Sequence, residues 1–252
     1  GLNLYELLPF LHTFFTELGF EVVPSPMSIW ELYIDGQQTI PSDTVCFPAK
    51  LIHGHIRALI RQGVKTIFYP CMTYNFEEKL GDNHFNCPVV AYYPEVIAAN
   101  MQETQEICFL YPYLGLHHPR TFVKKIGEAL RENWPMEQRE IKRAAKAAYR
   151  EQEAYRARIR QRGQEYLERA RKEGRHIVIL AGSPYHIDPE IGHGIDQLAA
   201  SLGFVVVSED SVSHLAEPVS VHVLNQWTYH ARVYRAARYA CLHRDTQLVQ
   251  LV

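Results

Sequence analysis

Residues 175–211 read RHIVILAGSPYHIDPEIGHGIDQLAASLGFVVVSEDS, and this stretch decides the fold class. HIVILAG has the continuous apolar pattern of a buried strand, GHGIDQLAASLG has the pattern of a helix, and FVVVS reads as a second strand. A strand, a helix and a strand at this spacing are typical of an α/β unit with a parallel sheet. A helix near residues 226–238 and the strand-like LVQLV at the end of the chain extend this unit.

The first half of the chain shows a similar alternation, which predicts a second α/β unit. Helices are expected over residues 4–18, 51–62 and 94–101, and strands over 20–23 (FEVV), 64–70 (VKTIFYP), 88–93 (PVVAYY) and 107–116 (ICFLYPYLGL). Gly19 follows the first apolar-periodic segment and indicates where that helix ends.

The region between the two units has a different composition. Residues 136–173 contain no proline and one glycine, and they are rich in Ala, Arg, Glu and Lys, which predicts one long helix or a pair of helices. Its charge run is most simply a solvated helix face. The predicted fold is therefore α/β, with two Rossmann- or flavodoxin-like units of mainly parallel sheet joined by a long charged helical segment.

This organisation divides the chain into a first α/β domain (1–119), a helical connector (120–173) and a second α/β domain (174–252). The chain begins at Gly1 without a Met and stops inside LVQLV, a strand-like run with nothing after it. We therefore expect an excised piece of a longer protein, with the second domain truncated at its C-terminus.

Charge and composition exclude several classes of function. The 252 residues include 26 Lys and Arg against 28 Asp and Glu, so the formal net charge is −2 and no basic excess meets a nucleic-acid backbone. No apolar run approaches the roughly 18–20 residues of a membrane span, and no signal peptide is recognisable. Five cysteines are too few and too scattered for a secreted disulfide scaffold, so we expect a reducing, cytoplasmic compartment.

Three cysteines fall where an α/β sheet would place a site. Cys71 directly follows the strand VKTIFYP, at the carboxyl end where open α/β sheets bind ligands. Cys46 precedes the helix at 51–62, whose N-terminal dipole would favour a thiolate, and Cys87 precedes PVVAYY. The spacing C-x24-C-x15-C is a weak metal pattern. The reading of all three as small buried hydrophobic residues therefore stays open.

The remaining cysteines and several histidines are weaker candidates. Cys108 has strand neighbours and Cys241 lies near a helix end, so packing roles are expected for both. His53 and His55 lie two apart, on different faces of a helix, unlike a helical zinc pair. His84 lies three residues before Cys87 and would support a site there; a zinc site of cysteines plus His84 is one interpretation.

The loop AGSPYHIDPEIGHG (181–194) follows a strand and precedes a helix, which suits a phosphate or carboxylate bound at a helix N-terminus. Its candidate residues for a cleft or an anion site are Ser183, His186, Asp188 and His193. The alternative is a turn in which the histidine and Asp188 side chains satisfy the loop backbone. The sequence contains neither GxGxxG nor GxxxxGK[ST], so it shows no dinucleotide fingerprint and no P-loop.

Three segments together resemble a known family. IPSDTVCFPAKLIHGHI (40–56), the stretch 67–100 beginning IFYPCMTYNFEEKLGDNHFNCPVV, and AGSPYHIDPEIGHGIDQLAASLGFVVVSEDSV (181–212) are similar to the uncharacterised domain of the 2-hydroxyacyl-CoA dehydratase activase-related proteins. In that family the domain typically follows ATPase activase modules of the acetate-kinase/actin superfamily. A region similar to the dehydratase component comes after it.

The resemblance implies an iron–sulfur protein. Related dehydratase subunits hold a [4Fe-4S] cluster through cysteines between two α/β domains, and relatives called double-cubane proteins carry a larger cluster. By this similarity Cys46, Cys71 and Cys87 become the expected cluster ligands. The implied partners are an ATP-hydrolysing activase module and a dehydratase-like domain, fused or separate. Related dehydratase components work as dimers of similar subunits, so a homodimer is also implied.

The sequence departs from the family at one of these segments. Members usually have Arg where this chain has Ser183, and losing that guanidinium would weaken an anion site there. The family also continues past the position of Val252 into a segment with a further cysteine, so a cluster is expected in the intact protein more than in this piece.

Two functions follow as hypotheses. One is an iron–sulfur, electron-transfer domain of an ATP-driven 2-hydroxyacyl-CoA dehydratase or reductase system, not active alone. The other is a metal-free docking or scaffold module between the activase and the dehydratase-like domain.

Overall fold

A computed structural model of the chain describes residues 2–252 as a mixed α/β structure in which all the sheet pairs are parallel. In chain order the elements are α1 (Leu4–Glu17), α2 (Trp30–Gly36), α3 (Phe47–Arg61), β1 (Thr66–Phe68), α4 (Pro88–Asn100), β2 (Cys108–Leu110), α5 (Pro119–Arg131), α6 (Gln138–Lys172), β3 (Ile177–Ala181), α7 (Pro189–Gly192), α8 (Ile195–Ser201), β4 (Val205–Ser208), α9 (Glu209–Val212), α10 (Thr228–Leu242) and β5 (Thr246–Gln250).

The first unit contains a two-stranded sheet in which β1 and β2 run parallel, with Thr66 opposite Cys108 and Phe68 opposite Leu110. α3 and α4 bury their apolar faces with Ile67 and Tyr69 in one core. A second core, rich in phenylalanine, joins α1, α5 and the first half of α6. Burial of these faces is the main force that holds the short strands in place.

Two predicted strands of this unit are wrong. PVVAYY lies in α4, because Pro88 occupies the first position of that helix, where its fixed φ favours helix and its missing N–H costs nothing. FEVV belongs to an irregular segment, residues 20–29. The Phe20 ring packs edge-on against Phe15 and Trp134, and these contacts hold the segment beside the helices instead of in a sheet.

The long charged segment forms one helix, α6, of 35 residues. A capping box between Glu137 and Glu140 begins it, and Gly174, with φ of +65°, follows its end. Its first half contributes Ala144 and Ala148 to the phenylalanine-rich core, and its last turns contribute apolar residues to the core of the second unit. α6 therefore packs against both units along its length.

The second unit contains a three-stranded parallel sheet in the order β4-β3-β5, with β3 in the centre. β3 is almost completely buried and matches the apolar run of HIVILAG, as expected for a central parallel strand. The chain passes from β3 to β4 on one side and then to β5 on the other. Such a reversal leaves a crevice at the carboxyl end of the central strand.

The observed sheets confirm an α/β fold in its general form. With two and three strands, they do not extend to complete doubly wound units, and the two Rossmann- or flavodoxin-like units stay a prediction. The predicted domain boundaries also stay a prediction. Among residues 2–252, no helix is both long and apolar enough to cross a bilayer.

Candidate functional site

The three predicted site cysteines lie at the ends of three different elements of the first unit. Cys71 follows β1 and continues its ladder, with its N–H donating to the Pro112 carbonyl at 3.0 Å. Cys46 and Cys87 are the N-cap residues of α3 and α4, and a proline in the first turn of each helix fixes the backbone there. The backbone of each cysteine is therefore fixed by the element at whose end it lies.

The cysteines share a set of neighbours. The charge of Cys87 influences the pKa of Cys46, so the two N-cap thiols lie near each other. Tyr69 is close to both Cys71 and Cys46, and Tyr185 of the second unit is close to both Cys46 and Cys87. We call this group of neighbouring residues, Cys46, Cys71, Cys87, Tyr69 and Tyr185, the cysteine cleft.

The thiols differ in exposure and in electrostatics. Cys71 has 0 % of its surface exposed, whereas Cys46 and Cys87 are exposed. Burial, and then the charge of Glu95, raise the pKa of Cys71 to about 11. Partial desolvation of its thiol also raises the pKa of Cys46; this outweighs the backbone N–H of Ala49, which lowers the pKa as expected at a helix N-terminus.

No ready-made metal-binding group is found at the cleft or elsewhere in the described part of the chain. Within residues 2–252 no three or more His, Cys, Asp or Glu side chains form such a group. His84, the predicted histidine of a zinc site, pairs instead with Glu77, with 2.8 Å between Nδ1 and Oε2, and its ring packs near Tyr74 and His117. The zinc interpretation therefore gains no support from the geometry.

Cys108 and Cys241 lie away from the cleft. Cys108 pairs with Thr66 at the amino end of β2, which is the end of that sheet opposite to Cys71. Cys241 is exposed in the last turn of α10. Both residues therefore provide natural controls for experiments on the other three thiols.

The loop after β3 faces the first unit, but its polar groups already have partners. His186 Nδ1 accepts a hydrogen bond from the Ser183 N–H at 2.9 Å. Asp188 caps α7 by accepting the N–H groups of Glu190 and Ile191 at 3.0 and 3.3 Å. The loop is therefore better described as a turn whose side chains bond to its own backbone groups. The Asp188 carboxylate occupies the helix N-terminus at which an anion was expected. His193 is exposed, with φ of +51°.

Asp188 also joins the two units, which the sequence did not reveal. The Ser28 hydroxyl donates to the Asp188 carboxylate at 2.6 Å and contacts His55 Nε2 at 3.0 Å, and the Tyr5 hydroxyl donates to the same carboxylate. Serine lies between the histidine and the aspartate, so this is not the order of a nucleophilic triad, in which histidine is central. Burial lowers the pKa of His55 to about 4, so its ring is neutral.

His53 serves a different part of the first unit. It is completely buried, and its two ring nitrogens contact Thr39 Oγ1 at 2.7 Å and the Tyr93 hydroxyl at 2.9 Å. Burial lowers its pKa to about 4. His53 and His55 therefore have separate partners, as their spacing predicted.

A buried ion network around Glu6 of α1 was also missed. Glu6 pairs with Arg156 of α6 at 3.1 Å and with Arg232 of α10, and Glu78 pairs with the same two arginines at 3.2 and 2.7 Å. Glu6 was hidden in the sequence by its apolar helix LYELLPF. The only signal was a lone acid among apolar residues, which burial without a partner would make costly.

Comparison with known proteins matches residues 1–212 to one family, described as the CoA enzyme activase uncharacterised domain (DUF2229). No curated protein and no solved structure matches the chain. The matched region contains the whole cysteine cleft, the loop after β3 and Glu6 with Glu78 of the ion network. Because the match covers most of its length, the chain belongs to the CoA enzyme activase uncharacterised domain family.

Proposed function

We propose that this chain is an iron–sulfur, electron-transfer domain of an ATP-driven 2-hydroxyacyl-CoA dehydratase or reductase system, with Cys46, Cys71 and Cys87 as cluster ligands. The observation that carries the proposal is the common cleft, in which thiols from three separate elements share tyrosine neighbours from both units. Membership in the CoA enzyme activase family supports the general system.

The donor type suits an iron–sulfur cluster. Thiolates are the usual ligands of such clusters, and Cys46, Cys71 and Cys87 supply three of them. A cluster is larger than a single metal ion and would meet thiols that lie further apart. Three thiols leave one cluster position for a further ligand.

The chain itself would supply geometry, insulation and partial charge. The prolines that begin α3 and α4 hold Cys46 and Cys87 in place, and the buried Tyr69 limits water around the cleft. The N–H groups of Ala49 and Lys50, which already bond to the Cys46 carbonyl, offset negative charge there. A bound cluster would supply one-electron transfer, and burial and hydrogen bonding would set its potential.

The expected partners follow from the family. We propose that an activase module delivers electrons with ATP hydrolysis and that a dehydratase-like domain receives them, whether fused to this domain or separate. In this arrangement the domain is not active alone, works in the cytoplasm and pairs as a homodimer. The two units would be Rossmann-like, with the cleft between them.

Anaerobic reconstitution with iron and sulfide tests the proposal. The wild-type chain should gain iron and acid-labile sulfide in comparable amounts, with a broad absorbance at about 400 nm from the thiolate-ligated cluster. Cys46→Ser, Cys71→Ser and Cys87→Ser should each lower the iron content, whereas Cys108→Ser and Cys241→Ser should not. Equal iron in all five variants would refute the ligand assignment.

The metal-free docking module is the second candidate, and the burial of Cys71 favours it. A thiol with 0 % exposure and a pKa of about 11 resembles a packed core residue. Thiol labelling before and after reconstitution separates the two functions. A cluster should protect Cys46 and Cys87, which are exposed in the free protein, and leave Cys241 reactive. Unchanged labelling of Cys46 and Cys87 would support the docking module.

A further inference from the structure

A separate cavity lies beside Glu6 of α1 and contains none of the residues of the cysteine cleft. It has a volume of about 350 Å³ and is lined by residues of α1, α6, α9, α10 and the segment that contains Glu78 and Lys79. This volume lies within the range of about 300–1,000 Å³ that is usual for small-molecule sites. We call it the arginine cavity.

Part of its lining is electrically balanced. Glu6 and Glu78 each pair with both Arg156 and Arg232, so two carboxylates face two guanidinium groups. Arg232 has 3 % of its side-chain surface exposed, and the Glu6 side chain has 7 %. This network forms a wall whose charges are already matched.

The rest of the lining has an excess of positive charge. Lys79, Arg160 and Arg235 line the cavity, and none of them forms an ion pair with a carboxylate of residues 2–252. The remaining carboxylate, Asp210, accepts the Ser208 hydroxyl at 2.5 Å. Three cations thus stand against one carboxylate.

Arg235 is the most informative of the three. It has 8 % of its surface exposed, and one of its terminal nitrogens donates to the Ala216 carbonyl. Its Nε has no hydrogen-bond partner, although it is buried. A buried guanidinium with an unused donor and no counter-ion is costly, and a bound anion would remove that cost.

His214 and Tyr155 are the remaining titratable groups of the lining. Partial desolvation and the charge of Arg160 lower the pKa of His214, and burial raises the pKa of Tyr155, so neither adds charge near neutral pH. The excess of positive charge in the cavity therefore comes from one lysine and two arginines. These residues lie on three elements, so an anion between them would contact both units.

We propose that the arginine cavity binds a phosphate-type oxyanion, either free phosphate or the phosphate group of a monoester, between Lys79, Arg160 and Arg235. The net excess of two positive charges matches a dianion. Guanidinium groups offer planar pairs of N–H donors that suit phosphate oxygens, and lysine adds a mobile point charge at the exposed edge. The proposal does not depend on any chemistry of the cysteine cleft.

Titration calorimetry of the metal-free chain with inorganic phosphate, at constant ionic strength, tests the site. We expect saturable binding, and Arg160→Gln and Arg235→Gln should each weaken it about tenfold or more, since hydrogen bonds to charged groups are among the stronger ones. Arg150→Gln, an exposed and unpaired position on α6, is the matched control and should bind as the wild type does.

Two further measurements keep the result decisive. Because Arg235 is buried, urea unfolding must first show that Arg235→Gln is folded. If Arg235→Gln does not fold, Lys79→Gln takes its place; Lys79 is exposed, and this variant should also weaken phosphate binding. Titration with methyl phosphate distinguishes the two possible ligands. If methyl phosphate binds at least as tightly as inorganic phosphate, the ligand is a phosphate monoester; if it binds more weakly, the ligand is free phosphate. Absence of saturable phosphate binding, or wild-type affinity in both Arg160→Gln and Lys79→Gln, would overturn the proposal.

Discussion

Two adjacent residues of α1 contact the second unit, one near the cysteine cleft and the other at the arginine cavity, and they join the two units by different means. Tyr5 and Glu6 are neighbours in the chain, yet Tyr5 contacts Asp188 beside the cleft and Glu6 contacts Arg232 beside the cavity. At the cleft, hydroxyl and backbone N–H groups hold a single carboxylate. At the cavity, paired charges are buried with little access to water.

This difference indicates which ligand each site lacks. Burial raises the pKa of Cys46 and Cys71, and a bound cation would favour their thiolates. The arginine cavity has cations in excess of its carboxylates and lacks an anion. The two sites therefore suit ligands of opposite charge, and substitutions at each site should have effects of different size.

The largest effect is expected from Glu6→Gln, which breaks the buried ion network. The charges of Arg232 and Arg156 outweigh the effect of burial and lower the pKa of Glu6 to about 2. Without the Glu6 charge, the buried guanidinium groups of Arg156 and Arg232 keep only one carboxylate, Glu78, between them. The free energy of unfolding should therefore fall by about 3–5 kcal/mol. Urea unfolding at neutral pH measures this change.

Glu17→Gln, at the exposed end of the same helix, is the matched control. Its ion pair with Arg143 spans 4.0 Å in solvent, so the loss should be about 0–1 kcal/mol. Similar losses in the two variants would mean that the buried network contributes no more than a surface pair.

The next effect concerns Glu209, which lies beside Asp210 at the carboxyl end of β4. Burial, and then the charge of Asp210, raise its pKa to about 8. The folded protein thus keeps a proton that the unfolded chain releases at a pKa of 4.5, and stability should fall as the pH rises between these values. The slope is at most about 1.4 kcal/mol per pH unit.

Glu209→Gln should remove this contribution. Urea unfolding at about pH 6 and about pH 8.5 should show a smaller loss of stability in the variant than in the wild type. Glu217→Gln, at an exposed position nearby in sequence, should keep the wild-type slope. Equal slopes in all three proteins would show that Glu209 ionises normally.

Much of the fold was predictable, because in several segments the local sequence pattern and the tertiary packing favour the same element. HIVILAG and FVVVS contain β3 and β4, LVQLV overlaps the second half of β5, and the charge-rich segment forms a single helix. PVVAYY failed because its β-branched run competed with Pro88, a strong helix-start signal. FEVV failed because a strand needs a pairing partner, which no propensity of its own residues supplies.

The site was predictable only where chain position fixes it. Cys71 was placed correctly at the carboxyl end of β1, and Cys46 at the start of a helix, since both follow from neighbouring elements. The contacts of Asp188 with Ser28 and of Glu6 with Arg232 join residues far apart in the chain. Neither pairing leaves a local pattern, so the sequence alone could not reveal them.

The smallest effect is expected from Ser28→Ala, which weakens the joint at the cysteine cleft. The hydroxyl donates to Asp188 at 2.6 Å, but that carboxylate keeps Tyr5 and two backbone N–H groups as donors. The loss in the free energy of unfolding should therefore lie at the low end of the range of about 1.5–3 kcal/mol that is usual for one hydrogen bond to a charged group. Ser42→Ala, at an exposed hydroxyl, should change stability by less than about 0.5 kcal/mol. A loss at Ser28 as large as that of Glu6→Gln would contradict the comparison, because it would mean that the contacts near the cleft and those at the cavity hold the units together equally strongly.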